Sequence, residues 1–411
     1  MPVAPSAVIL ALVLLAPAAC RREGPSPPPG TDTGPGPDAA SDARIDQGSP
    51  ETATDLVRPA GGPTLVTFNA GLARNFVPYA EERLPHVLDA VAGLDADVVC
   101  LQEVWEDGDV EALLEAAGET FPHAHRVRTE EEPRGPAACT EAETAPLLAC
   151  VQEHCADTED LTGCVMANCA TEFGGISPGC TTCLAAHIAE PVEDIIAACL
   201  SGSSTMLFGG RNGLLLLSRT PLLAPDHLVL DSFFTQRAVL AAGVETPAGT
   251  LQVFCTHLNA ALSEVTYRGP FASWEEEQAA QAAAVLAWME TRAGEAPRAL
   301  LGDMNCGPDL PPEIAGEFPE TFASLTAAGL ESPYLALFSP PCTWCGDNPL
   351  TGGGDSHVID HVLLGGTAAA GATAKRILDG TVVILTGDGP AQLPLSDHFG
   401  VGVTLAWGAS R

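Results

Sequence analysis

The sequence predicts an α+β fold in which two packed, mixed sheets lie between outer helices. Three observations lead to this prediction. Strand-like segments such as 97–105 and 250–258 are apolar over almost their whole length, which is typical of strands buried on both faces. Helical patterns alternate with these strands along the chain. Apolar residues make up 46% of the chain, which is enough for a large core.

The first 63 residues are expected to lie outside the folded body. Residues 6–19 form an apolar run that is shorter than the ~20 residues of a membrane span but suits the core of a signal peptide. Small residues precede Cys20, as in a lipoprotein cleavage site, so we expect a signal peptide at 1–19 and a lipidated Cys20. A plain signal peptide is the alternative. Residues 20–63 are rich in Pro, Gly, Asp, Ser and Thr and are predicted to form a disordered tether.

Strands and helices are predicted in a regular order after the tether. A helix is expected at 84–93, with Pro85 in its first turn. Ser273 and Glu276 have the spacing of a capping box, which predicts a helix that reaches about Thr291. The predicted strands are, in chain order, 64–72, 97–105, 212–222, 237–246, 250–258, 298–305, 357–365, 381–385 and 398–407.

A cysteine-rich segment interrupts this pattern. Eight cysteines fall between Cys139 and Cys199, a density typical of a disulfide scaffold. The spacing Cys-x4-Cys occurs twice in helix-forming sequence, which is compatible with a stapled helical hairpin with nested bridges 150–169 and 155–164. Eight cysteines allow about 105 pairings, and the spacing alone does not choose among them. A zinc site that uses the Cys180–Cys183 step is the alternative.

Domain boundaries follow from this interruption. We assign 139–199 to a disulfide-rich helical insertion, and 64–138 together with 200–408 to one catalytic domain.

The remaining cysteines are predicted to differ in state. Cys342 and Cys345 lie in a Pro- and Gly-rich loop, which favours a local disulfide over a redox motif. Cys100 and Cys255 lie inside apolar strands and are expected to be ordinary buried thiols. Fourteen cysteines in one chain indicate an oxidising compartment, so we expect a protein that is anchored to the cell envelope or secreted.

The large negative net charge limits which kinds of molecule the protein can bind. Eighteen Lys and Arg face 53 Asp and Glu, which gives a formal net charge of −35. Affinity for nucleic acid comes largely from Lys and Arg that neutralise phosphates. The composition therefore excludes a broad basic nucleic-acid-binding face, but it is compatible with an enzyme that contacts one phosphate through a bound metal ion.

Polar side chains stand where several apolar strands end. Buried without partners, such groups would each cost several kcal/mol, so convergence on a cation would satisfy them. The acid, amide and imidazole residues at these ends are Asn69, Glu103, His257, Asp303 with Asn305, Asp360, and Asp397 with His398.

The segments that contain these residues read, in order, TFN, LQE, THLNA, GDMN, IDH and SDH. This ordered set resembles the endonuclease/exonuclease/phosphatase superfamily, which includes deoxyribonuclease I, abasic-site endonucleases, inositol phosphatases and neutral sphingomyelinases. The resemblance covers 64–138 and 200–408. It implies a four-layer α/β/β/α sandwich and a metal-dependent hydrolysis of phosphoric esters without a covalent intermediate.

The resemblance also implies a metal site. Glu103 would be the principal ligand of Mg²⁺, with Asn69 beside it, and Mn²⁺ or Ca²⁺ are alternatives to Mg²⁺. Asp397 would either help to bind the metal or position its own turn. The ion would act as a Lewis acid on a phosphoryl oxygen.

The catalytic roles follow from the same resemblance. His398 matches the general base that takes a proton from the attacking water, and Asp360 would fix the tautomer of its ring. Asp303 and Asn305 would orient the water and hold a phosphate oxygen. His257 would donate to a phosphate oxygen in the transition state.

The sequence favours a phospholipid headgroup as the phosphodiester substrate. Residues 208–222 and 237–246 resemble segments of the sphingomyelinase branch. Tyr267, Phe271 and Trp274 either contact a lipid interface or pack under their loop. A secreted endonuclease of the deoxyribonuclease I type and an inactive binding lipoprotein are the alternatives. We expect a monomer that contacts the membrane through its lipid anchor and has no stable nucleic-acid partner.

Overall fold

The computed structural model of the chain describes residues 62–74, 76–127, 136–155, 161–187, 192–202, 206–260, 267, 269–387 and 389–406. The predicted signal peptide, Cys20 and almost all of the predicted tether lie outside the described residues. No helix within these ranges combines the length and the apolar character that crossing a bilayer requires.

The strands agree with most of the predicted segments. In chain order they are β1 (Thr64–Asn69), β2 (Val98–Gln102), β3 (His123–His125), β4 (Leu215–Ser218), β5 (Leu222–Leu230), β6 (Arg237–Thr246), β7 (Gly249–His257), β8 (Arg298–Asp303), β9 (Leu330–Glu331), β10 (Asp360–Gly365), β11 (Thr373–Ile377), β12 (Thr381–Thr386), β13 (Gly389–Pro394) and β14 (Gly400–Thr404).

The helices are distributed between the two parts of the chain. Those of the sandwich are α1 (Ala80–Ala92), α2 (Asp107–Ala117), α8 (Trp274–Ala293) and α9 (Pro319–Ala327). Those of the cysteine-rich segment are α3 (Glu141–His154), α4 (Leu161–Asn168), α5 (Ala170–Phe173), α6 (Pro178–Ala186) and α7 (Val192–Ser201).

Twelve of the described strands form two mixed sheets of six strands each. The first has the spatial order β11-β14-β1-β2-β4-β3, and the second has the order β5-β6-β7-β8-β10-β9. The pairs β1–β2 and β7–β8 are parallel, whereas the other pairs are antiparallel. The carboxyl ends of β1 and β2 therefore meet at one edge, as do those of β7 and β8.

Three apolar clusters fix the order of the layers. One lies between the sheets and includes Leu65 of β1 and Leu240 of β6. A second joins the outer face of the first sheet to α1 and α2, and it includes Val66 and Phe68. A third joins the outer face of the second sheet to α8 and α9. The four-layer α/β/β/α sandwich is therefore confirmed.

One predicted core strand lies elsewhere. Segment 381–385 belongs to β12, which pairs with β13 in a separate two-stranded hairpin. Ile384 packs inward, but Val383 is 56% exposed and Leu385 is 72% exposed. The prediction of a buried strand was wrong because an apolar run does not reveal that only one of its faces is covered.

The first helix begins earlier than predicted. It starts at Ala80, so Pro85 lies inside the helix and not in its first turn. The backbone N–H of Arg83 donates to the carbonyl of Tyr79 at 2.9 Å, which closes an earlier turn.

The cysteine pairings in the insertion agree with the nested prediction. Bridges join 150 to 169 and 155 to 164, and two more join 139 to 180 and 183 to 199. Cys180 and Cys183 are therefore both in disulfides, which excludes the zinc alternative. The local bridge between Cys342 and Cys345 is also present.

The expectation for Cys100 and Cys255 was wrong, because these two residues form a disulfide. Cys100 lies on β2 and Cys255 on β7, and their Cα atoms are 5.5 Å apart across the inner core. The sequence separation of 155 residues hides this contact. Cys306 is free and buried.

Candidate active site

The polar residues at the strand ends gather at one edge of the sandwich. Asn69 ends β1 and Glu103 follows β2 in the first sheet, whereas Asp303 ends β8 in the second. Nδ2 of Asn69 donates to Oε1 of Glu103 at 3.1 Å and to Oδ2 of Asp303 at 3.0 Å. The amide of Asn69 therefore joins carboxylates that belong to different sheets.

Asp303 is the centre of the cluster. Its Oδ2 lies 3.3 Å from Nε2 of His257 and 3.8 Å from Nε2 of His398, and its Oδ1 accepts the backbone N–H of Asn305 at 2.8 Å. Burial favours the neutral acid, but the charge of His398 and the contacts with His257 outweigh burial. They hold the pKa of Asp303 below its ordinary value.

His398 is held by a carboxylate behind its ring. Its Nδ1 lies 2.9 Å from Oδ2 of Asp360, which fixes the ring and leaves Nε2 toward Asp303. Burial alone would lower the pKa of His398. The charges of Asp360, Asp303 and Asp397 outweigh burial and raise this pKa well above 6.5.

His257 has the opposite electrostatic environment. Burial and the nearby charge of Arg237 lower its pKa to about 4, so the ring is neutral near pH 7. Nδ2 of Asn305 lies 3.0 Å from Nε2 of His257 and also donates to the carbonyl of Leu258 at 3.0 Å. Nδ1 of His257 is buried and has no hydrogen-bond partner among the described residues.

Glu103 has the properties of a cation ligand. Burial and the charge of Asp397 raise its pKa to about 7, and the opposing charge of His398 and the hydrogen bond from Asn69 do not offset them. Oδ1 of Asp397 accepts a hydrogen bond from Ser396 at 3.0 Å. Gly71 has a φ of +55°, and a Cβ there would lie 2.3 Å from Oδ1 of Asp397, so the loop after β1 packs directly on this carboxylate.

The donor set fits a hard divalent cation. Such ions prefer carboxylate and amide oxygens, and a cation would offset the repulsion between the Glu103 and Asp397 carboxylates. Asn69, as placed, turns its nitrogen toward Glu103 and Asp303, while its oxygen accepts the N–H of Gly71 at 3.0 Å. Asp303, Asp360 and His398 form a second group, with ligand atoms within 4.8 Å of one another. The roles of the individual ligands stay predictions.

Sequence reasoning missed Arg83, which is fully buried on α1. Its guanidinium donates to the carbonyls of Ala70 at 3.1 Å, Leu395 at 2.6 Å, and Gly71. These carbonyls belong to the loop after Asn69 and to the loop before His398. From the sequence, an arginine in a polar helix is expected to face solvent. The sequence therefore does not indicate that Arg83 contacts these carbonyls.

Arg237 at the start of β6 was also missed. It is 6% exposed, and its Nε and Nη1 have no hydrogen-bond partner among the described residues. Burial lowers its pKa to about 10, against the opposing charges of Glu103 and Asp303. The available signal in the sequence was a charged residue at the start of an apolar strand.

The aromatic residues near 270 pack under their loop. The hydroxyl of Tyr267 donates to Oε2 of Glu277 at 2.8 Å. The Tyr267 ring lies 5.3 Å from the ring of Phe233 and 5.1 Å from that of Trp274, which is buried. Of the two readings of this segment, the packing alternative is correct for Tyr267 and Trp274.

Comparison with known proteins agrees with this architecture. Residues 66–398 match the model of the Endonuclease/Exonuclease/phosphatase family. Sphingomyelinase C from Streptomyces griseocarneus is similar in structure, with 14% identity, a TM-score of 0.53, and coverage of 84% of this chain and 99% of that one. A variant of beta toxin from Staphylococcus aureus, with bound magnesium ions, has 12% identity, a TM-score of 0.53 and the same two coverages. At these identities the likeness shows the fold alone. No curated protein sequence matches the chain.

Proposed function

The chain belongs to the endonuclease/exonuclease/phosphatase family and is a phosphoester hydrolase, and from that premise we propose a specific reaction. The protein is an exported, magnesium-dependent phosphodiesterase that releases the phosphorylated headgroup of a sphingomyelin-like phospholipid. The observation that carries the proposal is the approach of His257 and His398 to Asp303, which the amide of Asn69 links to Glu103 of the other sheet.

The imidazole of His398 acts as the proton acceptor. Asp360 holds Nδ1, so Nε2 is the atom that takes a proton from the attacking water. Asp303 lies on the same side of the ring and accepts hydrogen bonds that orient the water. A divalent cation at Glu103, with Asn69 and Asp397 beside it, supplies Lewis-acid activation of a phosphoryl oxygen when bound.

Two further groups act on the charge of the phosphate. Arg237 is a buried cation with unpartnered nitrogens, and an anionic phosphoryl oxygen is the partner that such a group requires. His257 is neutral and has an unpartnered Nδ1, so it can donate a hydrogen bond without adding charge. Together they would stabilise negative charge as the bond to the leaving oxygen breaks.

The surface charges support a lipid rather than a nucleic acid. Seven of the described arginines contact a carboxylate, and such pairs leave little free positive charge for phosphates. These pairs are Arg74 with Asp109, Arg126 with Asp107, Arg211 with Glu106, Arg219 with Asp95, Arg292 with Asp226, Arg298 with Glu290, and Arg376 with Asp379.

The β12–β13 hairpin also supports a lipid surface as the place of reaction. Its outer face exposes Val383 and Leu385, whereas Ile384 packs in one cluster with Trp105. The Trp105 ring lies 6.4 Å from the ring of His257. Exposed apolar side chains on a hairpin whose inner face packs with a residue beside the catalytic pocket are typical of interfacial binding.

Three substrates test the proposal. Purified protein with Mg²⁺ should release phosphocholine from sphingomyelin vesicles and leave supercoiled plasmid intact. Nicked plasmid without phosphocholine release would identify an endonuclease instead. Absence of turnover on both, and on bis-p-nitrophenyl phosphate, would identify an inactive binding protein. The double variant His398→Ala with Asp303→Asn controls for contaminating activity.

Export and anchoring are tested separately. Six disulfides among the described residues support an extracellular site of action. If Cys20 is lipidated, labelled palmitate should enter the full chain, and Cys20→Ala should move the protein from the membrane fraction to the medium. Equal fractionation of both forms would contradict the anchor.

A further inference from the structure

The cysteine-rich insertion ends beside the active site. After α7 the chain reaches a short turn at Leu207–Gly210, against which α6 also packs. The backbone N–H of Leu207 donates to the carbonyl of Phe234 at 2.7 Å, which ties this turn to the segment before β6. The insertion and the catalytic sheets therefore meet at one turn.

Phe208 extends from this turn onto Trp105, a residue beside the catalytic centre. Its ring stacks on Trp105 with centroids 4.2 Å apart and an interplanar angle of 12°, and Phe76 meets Phe208 edge-on at 5.7 Å. Trp105 stands two residues after Glu103, and its ring is 6.4 Å from that of His257. The rings of Phe76, Phe208, Trp105 and His257 form a continuous row from an exposed side chain to a buried catalytic one.

The backbone of Phe208 is held in an unfavourable conformation. Its φ is 55° and its ψ is 28°, in the left-handed region that a bulky residue rarely adopts. Such conformations persist where the surroundings determine them, and they cluster at functional sites. Gly213 packs on the Trp105 ring so closely that a Cβ there would lie 2.8 Å from it. The Trp105 ring is therefore held in place by Phe208 and by Gly213.

We propose that the half-buried ring of Phe208, backed by the buried ring of Trp105, is a subsite for a quaternary ammonium group, and that the insertion sets the position of Phe208. The proposal rests on the proposed function, in which the substrate is a phosphodiester of a choline-type headgroup. Aromatic faces attract such cations, and the attraction grows as the site excludes water. The charge of the chain, −35, and the pairing of Arg74 and Arg211 with carboxylates favour a cation over an anion here.

Binding without turnover tests the subsite directly. Titration calorimetry with Mg²⁺ present should show phosphocholine binding about tenfold tighter than 3,3-dimethylbutyl phosphate, which has the same shape without the charge. Phe208→Leu should reduce this preference to about twofold, and Phe208→Tyr should restore it. Equal affinity of the wild-type protein for both ligands would overturn the subsite.

The role of the insertion is tested by its disulfides. The bridge between Cys183 and Cys199 ties α6 to α7 next to the turn, whereas the bridge between Cys155 and Cys164 lies in the α3–α4 pair. Cys183→Ala with Cys199→Ala should lower the preference for phosphocholine several-fold. Cys155→Ala with Cys164→Ala, the matched control, should leave it unchanged. Equal effects of the two double variants would overturn the positioning role.

Two further outcomes separate this inference from the proposed function. A protein that does not hydrolyse sphingomyelin but keeps a Phe208-dependent preference for phosphocholine would refute the reaction and support the subsite. Tighter binding of thymidine 5′-phosphate than of phosphocholine, lost in Phe208→Leu, would instead identify a nucleobase platform and overturn the inference.

Discussion

The two imidazoles beside Asp303 have opposite charge states because their other neighbours differ. His257 is buried near Arg237, which lowers its pKa to about 4. His398 faces three carboxylates, which raise its pKa well above 6.5. Pairs of titratable groups with divergent pKa values are typical of sites that accept protons at one group and donate hydrogen bonds at another.

The raised pKa of His398 has a direct consequence for the pH profile. A proton acceptor must be neutral, so kcat/KM should rise with pH through a pKa above 6.5. Asp360→Asn removes the largest charge that raises this pKa, so the rising limb should move to lower pH. Turnover should also fall by about 100-fold or more, because the ring loses its orientation. An unchanged limb in the variant would contradict the role of Asp360.

The raised pKa of Glu103 predicts that the Mg²⁺ requirement of the enzyme depends on pH. Its pKa is raised to about 7, so the cation competes with a proton below that pH. The Mg²⁺ concentration for half-maximal activity should increase by up to about tenfold per pH unit below pH 7. Glu103→Gln should raise this concentration at all pH values and remove its pH dependence. In His398→Ala, turnover should fall by orders of magnitude while Mg²⁺ affinity stays close to that of the wild type.

The burial of Arg237 predicts that its replacement has opposite effects on stability and on activity. A buried cation with two nitrogens that lack hydrogen-bond partners is unfavourable for folding, so Arg237→Met should raise the free energy of unfolding by about 1 kcal/mol or more. The same change removes a phosphate contact and should lower kcat/KM by about 10- to 100-fold. Urea denaturation and steady-state kinetics measure the two effects. Arg126→Met, which removes an ion pair with the exposed Asp107, is the control. It should change the free energy of unfolding and kcat/KM only slightly. A loss of stability in Arg237→Met would contradict this account.

At the scale of elements, α1 determines the shape of two active-site loops. Arg83 on this helix donates to carbonyls of the loop after β1 and to that of Leu395, 312 positions away. The side chain thereby connects the loop that follows Asn69 with the one that precedes His398. A buried cation that satisfies several carbonyls at once cannot be replaced by an apolar side chain.

This arrangement predicts the effect of Arg83→Met. Several buried carbonyls would lose their donor, so the free energy of unfolding should fall by about 3 kcal/mol or more. The Mg²⁺ requirement should also rise, since the loops that carry Asn69 and Asp397 would lose their common support. Chemical denaturation and Mg²⁺ titration check the two parts. Wild-type stability in this variant would show that the loops are held by other contacts.

Features of the fold and site were predictable from the sequence when a few neighbouring residues indicate them. Strand ends were predictable because an apolar run that stops at an acid, amide or imidazole is visible in a few residues, and Asn69, Glu103 and Asp303 do converge. The repeated Cys-x4-Cys spacing suggested the nested bridges but did not exclude other pairings. The contacts of Arg83 and the bridge from Cys100 to Cys255 depend on how distant segments pack, so no local pattern encoded them.

At the scale of the whole molecule, the charge distribution predicts weak dependence on salt. The described arginines in ion pairs leave no broad cationic face, so binding to phospholipid vesicles would depend on apolar contact through residues such as Leu385. Vesicle binding should therefore change less than about twofold between low and physiological salt. Leu385→Asp should weaken it about tenfold or more. A steep fall with salt would indicate an electrostatic mode of binding instead.

The disulfide between Cys100 and Cys255 makes the geometry of the active site depend on the redox state of the compartment. Cys100 stands three residues before Glu103, and Cys255 stands two residues before His257, so one covalent bond joins the strands that carry both groups. In a reducing cytosol this bond stays open. If the chain is exported as proposed, we expect it to be a poor catalyst until oxidation outside the cytosol closes this bond.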